Sequence, residues 1–141
     1  MKTLLTLLLL IPSLSWGNNL KFLLCYNNLH EMQSIGLKLN TNTKLFTSYH
    51  FKQAEGKYFL NSYTSSDNKY FESADYLRLK IKSFFGFRTW GVNRKDLIWG
   101  EIPNGSYRPN NLGKCKLISS EQDLINSLEM MIEDNLKRNK I

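Results

Sequence analysis

The stretch Tyr76–Lys82 constrains the fold most tightly. Leu77, Leu79 and Ile81 alternate there with Arg78, Lys80 and Lys82. A period of two sends successive side chains to opposite faces, so this segment reads as a strand with one dry face and one wet face. The same period recurs along the chain. Leu20–Tyr26 is a short apolar run carrying Cys25, and Ile35, Leu37 and Leu39 alternate with Gly36, Lys38 and Asn40. Leu45, Thr47, Tyr49 and Phe51 share one face of the next strand, with His50 on the opposite, solvent-facing side. Asn40–Thr43 makes a turn, and Gln53–Gly56 supplies the glycine for a hairpin into Lys57–Thr64, a strand ended by Ser65–Asn68. Phe84, Phe85 and Phe87 around Gly86 mark a bend or bulge into a strand running from Phe87 to Val92. Asn93–Asp96 turns that strand back into Leu97–Ile102. Asn104-Gly105 tolerates the positive φ of a tight reversal, and a last strand covers Lys114–Ile118.

The ending changes period. Ser119 or Ser120 is placed to cap a helix, with Gln122 or Asp123 three residues on. Leu124, Leu128, Met131, Ile132 and Leu136 then recur at helical spacing, predicting an amphipathic helix over residues 120–138. Lys137, Arg138 and Lys140 fall where the helix macrodipole favours cations. The expected fold class is therefore mainly β (α+β): an antiparallel curled sheet or small β-barrel of about seven strands, with one C-terminal helix packed on it. An open α+β sheet is the alternative.

The amino terminus reads as a leader. Met1-Lys2 gives a positive start, Thr3–Ile11 is an apolar run too short for a stable membrane anchor, and Ser15-Trp16-Gly17 offers small residues at the spacing of a signal-peptidase site. Residues 1–17 are expected to be a cleaved signal peptide and residues 18–141 a single domain, exported to a periplasmic or extracellular location. With 42% hydrophobic and 22% charged residues, the composition excludes a disordered tail and a multi-pass membrane protein. Export gives the two cysteines a meaning: Cys25 and Cys115 read as one disulfide, which in the chain-entropy model stabilises the fold by about 4–5 kcal/mol. A Cys-x-x-Cys redox pair is absent, and two thiols with His30 and His50 have no metal-ligand spacing.

Catalytic and cofactor motifs are also missing. There is no Gly-x-Ser-x-Gly elbow, no phosphate-binding glycine loop and no spacing that gathers Glu55, Glu72, Asp75 and Glu101 into a carboxylate pair. The expectation is a non-enzymatic protein without cofactor; a hydrolase with a dispersed site ranks last. What remains is aromatic and basic. Trp90 and Trp99 lie three residues before and three after the Asn93–Asp96 turn, a placement that sets them across from each other as a stacking platform or a core clamp, with Tyr58 and Tyr107 available to join. Arg78, Lys80 and Lys82, followed by Arg88, Arg94 and Lys95, form a candidate positive stripe on one sheet face. Lysines and arginines outnumber acids 19 to 12, so anionic partners are drawn to such a stripe. The basic residues show no interleaved surface-aromatic motif of the RNP kind, which argues against nucleic acid.

The segment Trp90-Gly91-Val92-Asn93-Arg94-Lys95-Asp96-Leu97-Ile98-Trp99, followed by Gly113-Lys114-Cys115-Lys116-Leu117, resembles short exported proteins of unknown role from aquatic bacteria and their phages. In those, a hairpin with an Asn/Asp-Arg pair precedes a late cysteine. The resemblance covers residues 90–117 and implies no activity. In architecture the chain is similar to small periplasmic lysozyme inhibitors, which are signal-bearing β-barrels with a cysteine near the mature start, although their inhibitory-loop sequence is absent. Lipocalins also pair a barrel with a late helix, but residues 18–30 contain no Trp for their Gly-x-Trp signature. The functional expectation is a small secreted or periplasmic binding protein for an anionic or amphiphilic envelope component, such as a lipid or polysaccharide. The alternative is an inhibitor or interaction protein acting on an envelope enzyme.

Overall fold

The computed structural model describes residues 19–83, 86–103, 105–106 and 108–138. The expected leader 1–17, Phe84 and Phe85 of the bend, Asn104, Tyr107 and Lys140 lie outside the described residues. Eight strands, β1 (Leu20–Cys25), β2 (Ile35–Asn40), β3 (Leu45–Ala54), β4 (Lys57–Glu72), β5 (Tyr76–Ser83), β6 (Gly86–Asn93), β7 (Ile98–Glu101) and β8 (Gly113–Ile118), precede one helix, α1 (Glu121–Arg138). Each strand pairs antiparallel with its sequence neighbours, and β1 pairs with β8 to close a barrel. Closure gives every strand a partner on both sides over part of its length, while the β3–β4 hairpin, residues 51–60, projects past the pairing of β2 and β5. Among the described residues no helix is long and apolar enough to cross a membrane.

Local chemistry sets the turns. Asn40 Oδ1 accepts the backbone N–H groups of Asn42 and Thr43 at 3.0 and 3.1 Å, folding the β2–β3 connection into an Asx turn. Glu55 and Gly56 both take positive φ, 52° and 75°, the requirement of a two-residue hairpin whose twist matches that of its strands. The seam between β1 and β8 is locked by the Cys25–Cys115 disulfide, whose cysteines face each other in register.

Strand β4 departs from expectation. Ser65–Asn68 does not end it; the strand runs on to Glu72, exchanging β3 for β5 as its partner. Straight, its 16 residues would reach about 50 Å, too long for the wall of a small barrel. A bulge takes up three residues, for Thr47 pairs with Thr64 yet Leu45, two residues earlier, pairs with Lys69, and the end at residues 57–60 pairs with β3 beyond the reach of β2. Asn68 and Tyr70 are buried beyond it, at 0% and 1% exposure.

Two apolar layers result. The inner one, which includes Leu23, Leu37, Leu39, Phe46, Tyr70, Leu77, Leu79, Val92 and Trp99, lies inside the barrel. The outer one joins Phe22, Leu24 and Tyr49 on the outside of the wall to Leu124, Leu128 and Met131 of α1. Strand β1 is apolar on both faces for this reason. Gly36 lets the helix sit close, since a Cβ there would lie 2.9 Å from Leu128 Cδ1. Ser120 caps α1, its Oγ accepting the Asp123 N–H at 3.1 Å, and Lys38 Nζ donates to Glu121 at 2.8 Å, tying the helix start to β2. That hydrogen bond raises the Lys38 pKa above the ordinary lysine value. The outer layer also corrects β3: the row with Tyr49 and Phe51 lies outside, under the helix layer, and the row Phe46, Ser48 and His50 points into the barrel. His50 is therefore not on a solvent-facing strand surface.

Candidate functional site

Along the strands, inward positions change character from one end of the barrel to the other. On β3 they read Phe46, Ser48, His50; on β6, from its end backwards, Val92, Trp90, Arg88; on β7, Trp99, Glu101. At the end nearest Leu20, Leu39, Phe46 and Tyr70 the interior is packed with hydrocarbon and aromatic rings. At the other end the inward residues are polar or pulled back, and a cup of about 650 Å³ opens. Its walls include Ile35, Ile81, Trp90, Trp99 and Leu112, and its polar groups include Ser48, His50, Asn61, Arg88 and Glu101. Volume and lining fit the usual form of a small-molecule site, an apolar concavity with a few directed polar groups.

Each polar group has a defined setting. Arg88 Nε lies 3.3 Å from Glu101 Oε1, with both side chains substantially solvated, so the pair contributes little to stability and its guanidinium keeps free N–H groups. His50 Nε2 lies 3.4 Å from Asn61 Nδ2. An amide nitrogen only donates, so an Nε2 lone pair turned to it accepts this bond. Burial lowers the His50 pKa below the ordinary histidine value, and the charge of Lys52 acts in the same direction. The rim loop between β1 and β2 is held by Asn27, whose Oδ1 accepts the N–H groups of Leu29 and His30, and by Ser34 Oγ, which accepts the Asn27 N–H at 2.8 Å. This loop contributes Met32, Gln33 and Ser34 to the wall. Its Glu31 pairs with Arg138 at the far end of α1.

The expected tryptophan pair forms, but not directly across the hairpin. Trp90 opposes Glu101, and Trp99 opposes Val92. The turn extends one residue beyond Asp96, because Leu97 takes φ 62° and its N–H bonds the Asn93 carbonyl at 2.8 Å. The strands are thereby offset and the rings meet diagonally, with centroids 5.3 Å apart and planes tilted by 40°. Trp99 is 1% exposed and its Nε1–H donates to the Tyr26 carbonyl at 2.7 Å, so it belongs to the core. Trp90 is half-buried and faces the cup. Tyr58 lies instead near Phe51 and Gln53, beside a groove under α1.

The basic residues do not form a single stripe. Arg78 and Lys80 lie on the outward row of β5, and Lys82 continues that row along the backbone, its side chain being outside the described residues. Arg88 points inward to the cup. Arg94 lies at the opposite end of the barrel, where its Nη1 donates to the Ser73 carbonyl at 2.6 Å and braces the connection between β4 and β5. Strand alternation separates Arg88 from the β5 row, and the hairpin turn removes Arg94. Motif reasoning passes over Ser48 and Asn61, and weighs His50 and Glu101 only as a metal ligand and a member of a carboxylate pair; the signal that points to the site is the apolar-to-polar gradient along alternate positions of β3, β6 and β7.

Among the described residues, no group of three or more His, Cys, Asp or Glu is gathered as a metal centre. No protein-family model matches the chain, and neither a curated protein nor a solved structure is significantly similar to it.

Proposed function

We propose that this protein is a small exported binding protein, not an enzyme, which holds one small amphiphilic molecule in the open end of its barrel. The observation that carries this reading is the cup itself: about 650 Å³ inside a barrel whose other half is packed solid. The apolar body of the ligand lies against Trp90, Ile81 and Leu112. Its anionic head, a carboxylate, sulfate or phosphate, meets Arg88 at the rim, where an anion competes with Glu101 for the guanidinium. His50 and Asn61 supply directed hydrogen bonds, and burial disfavours the charged form of the His50 ring. Export is supported by the leader-like amino terminus and by the disulfide, a bond that persists in oxidising compartments.

Titration with anilinonaphthalene sulfonate and with medium-chain alkyl carboxylates, followed by tryptophan emission, tests the reading. Saturable one-to-one binding is expected, weakened by Trp90→Ala for every ligand and by Arg88→Gln for the anionic ones only. Absence of saturable binding by either ligand class, or binding indifferent to both substitutions, rejects the cup as the site.

A further inference from the structure

On the outside of the wall, beyond the bulge of β4, the outward positions of β4, β5 and β6 carry a second feature. Lys69 and Phe71 of β4 face Lys80 and Arg78 of β5 in register, and Phe87 follows on the outside of β6. Their neighbours Tyr70, Leu77 and Leu79 point into the core, which fixes this row as the outer one. Phe71 is 55% and Phe87 54% exposed, two large apolar side chains on this outer face. Lys69 and Lys80 stand directly opposite each other, a like-charge pairing that costs stability in an isolated sheet. Among the described residues no carboxylate forms an ion pair with Lys69, Arg78 or Lys80; Asp67 and Glu72 flank the row at its ends.

We propose that this face docks the protein onto an anionic lipid surface, with Phe71 and Phe87 entering the headgroup layer and Lys69, Arg78 and Lys80 resting on the phosphates. Cations spaced around exposed aromatic rings match the two components of interfacial binding, attraction to anionic lipid and burial of apolar area. Phosphates placed between Lys69 and Lys80 remove the repulsion that the free sheet carries. The aromatic geometry favours a membrane over single-stranded nucleic acid: Lys80 Nζ sits 4.5 Å from the Phe87 ring centroid, occupying a ring face that a stacked base would need. The inference concerns the outside of the wall and does not depend on what the cup holds.

The test is co-sedimentation of the full chain with two vesicle preparations, phosphatidylcholine alone and phosphatidylcholine containing one part in three phosphatidylglycerol. Binding is expected on the anionic vesicles only, and is lost near 1 M salt, where the Debye length falls to about 3 Å. At roughly 1 kcal/mol per cation near such a surface, Lys69→Gln with Lys80→Gln lowers partitioning by about tenfold or more. Phe71→Ser with Phe87→Ser also weakens it, while leaving the salt dependence in place. Lys57→Glu with Lys116→Glu, a larger charge change at exposed positions outside this row, keeps binding closer to wild type than the glutamine pair does. Tryptophan emission and circular dichroism identical to wild type establish that each variant is folded. Equal binding to both vesicle types, retention of binding within about twofold by the Lys69/Lys80 variant, or displacement from vesicles by a short single-stranded oligonucleotide that binds the same face more tightly overturns the proposal.

Discussion

Replacing both Cys25 and Cys115 by alanine tests how this barrel is held closed. The two residues are 90 apart in sequence, and the chain-entropy relation for a loop of that length assigns the cross-link about 4–5 kcal/mol. Both side chains lie in the inner layer, at 0% and 5% exposure, so deleting two sulfur atoms adds about 1 kcal/mol of lost packing. Against a total of about 5–15 kcal/mol for a domain, the double variant loses a third or more of its stability. The seam itself offers modest compensation: four register pairs from Phe22–Ile118 to Cys25–Cys115, extended by the Tyr26 N–H to Lys114 and Asn28 N–H to Leu112 bonds at 3.0 and 2.7 Å. Urea unfolding followed by tryptophan emission measures the change, with free energies compared rather than midpoints, because an uncrosslinked denatured chain exposes more surface and steepens the slope. A loss of about 4–6 kcal/mol with an increased slope is expected. A loss below about 2 kcal/mol refutes the reasoning, since β1 and β8 would then hold together without the covalent constraint.

Three further outcomes are expected. Gly100→Ala drives a Cβ into the carbonyl oxygen of Asn110, so the segment joining β7 to β8 must lift; a cost of about 1–3 kcal/mol should appear as a lower melting temperature and faster proteolysis near Pro109. His50 carries a pKa below its unfolded value, so the unfolded chain takes up its proton first as pH falls; stability is full above the ordinary histidine pKa, declines from there to the lowered folded value, and levels off below it, and His50→Gln should abolish that segment of a stability–pH curve. Asn68 is fully buried, and neither its Oδ1 nor its Nδ2 has a hydrogen-bond partner among the described residues; Asn68→Leu, similar in size, should raise the unfolding free energy by about 1–3 kcal/mol, and a decrease would refute the assignment of Asn68 as a polar cost to the inner layer.

Residues whose environment is set by close neighbours in sequence were the ones that periodicity placed well. The β5 alternation, the Asn40 turn, the Glu55-Gly56 hairpin and the apolar spacing of α1 from Leu124 to Met131 each follow from one to four adjacent side chains, and the structure has them where the pattern puts them; Leu136, the last of the stripe, is exposed. The pairing of Cys25 with Cys115 needed only an even count and an oxidising compartment. What failed was the choice of inside and outside on β3. Alternation identifies two faces but does not say which is covered, and here both are: one by the barrel interior, the other by a helix some seventy residues later. Tyr49 and Phe51 are the more apolar row, which by pattern alone sends His50 to solvent. Strand β4 failed for a related reason. Ser65–Asn68 has turn composition, yet Asn68 is carried inward by a bulge whose existence depends on pairing with β3 and β5 rather than on local preference. The cup is a property of six strands at once, β2 to β7, so no window along one of them reveals it.

The position of the disulfide connects the barrel's stability to its open end. At the packed end, Phe46, Tyr70, Leu77 and Val92 hold the wall from within, and closure follows from burial. At the cup the interior is withheld from packing, and strands there lose the inward contacts that would keep them together. Cys25 and Cys115 lie at that level of the seam, for Cys25 pairs with Ile35, which lines the cup. Trp99 is anchored close by through its bond to the Tyr26 carbonyl, on the same seam. The Arg138–Glu31 pair ties the end of α1 to the rim loop, so this loop too is held from outside the cavity. A covalent and two polar ties therefore serve the end where hydrophobic filling is absent. A barrel of this size stays open at one end because its rim is fastened by bonds that occupy none of the interior, leaving Trp90, His50, Asn61 and Arg88 to be chosen for what they contact rather than for what they support.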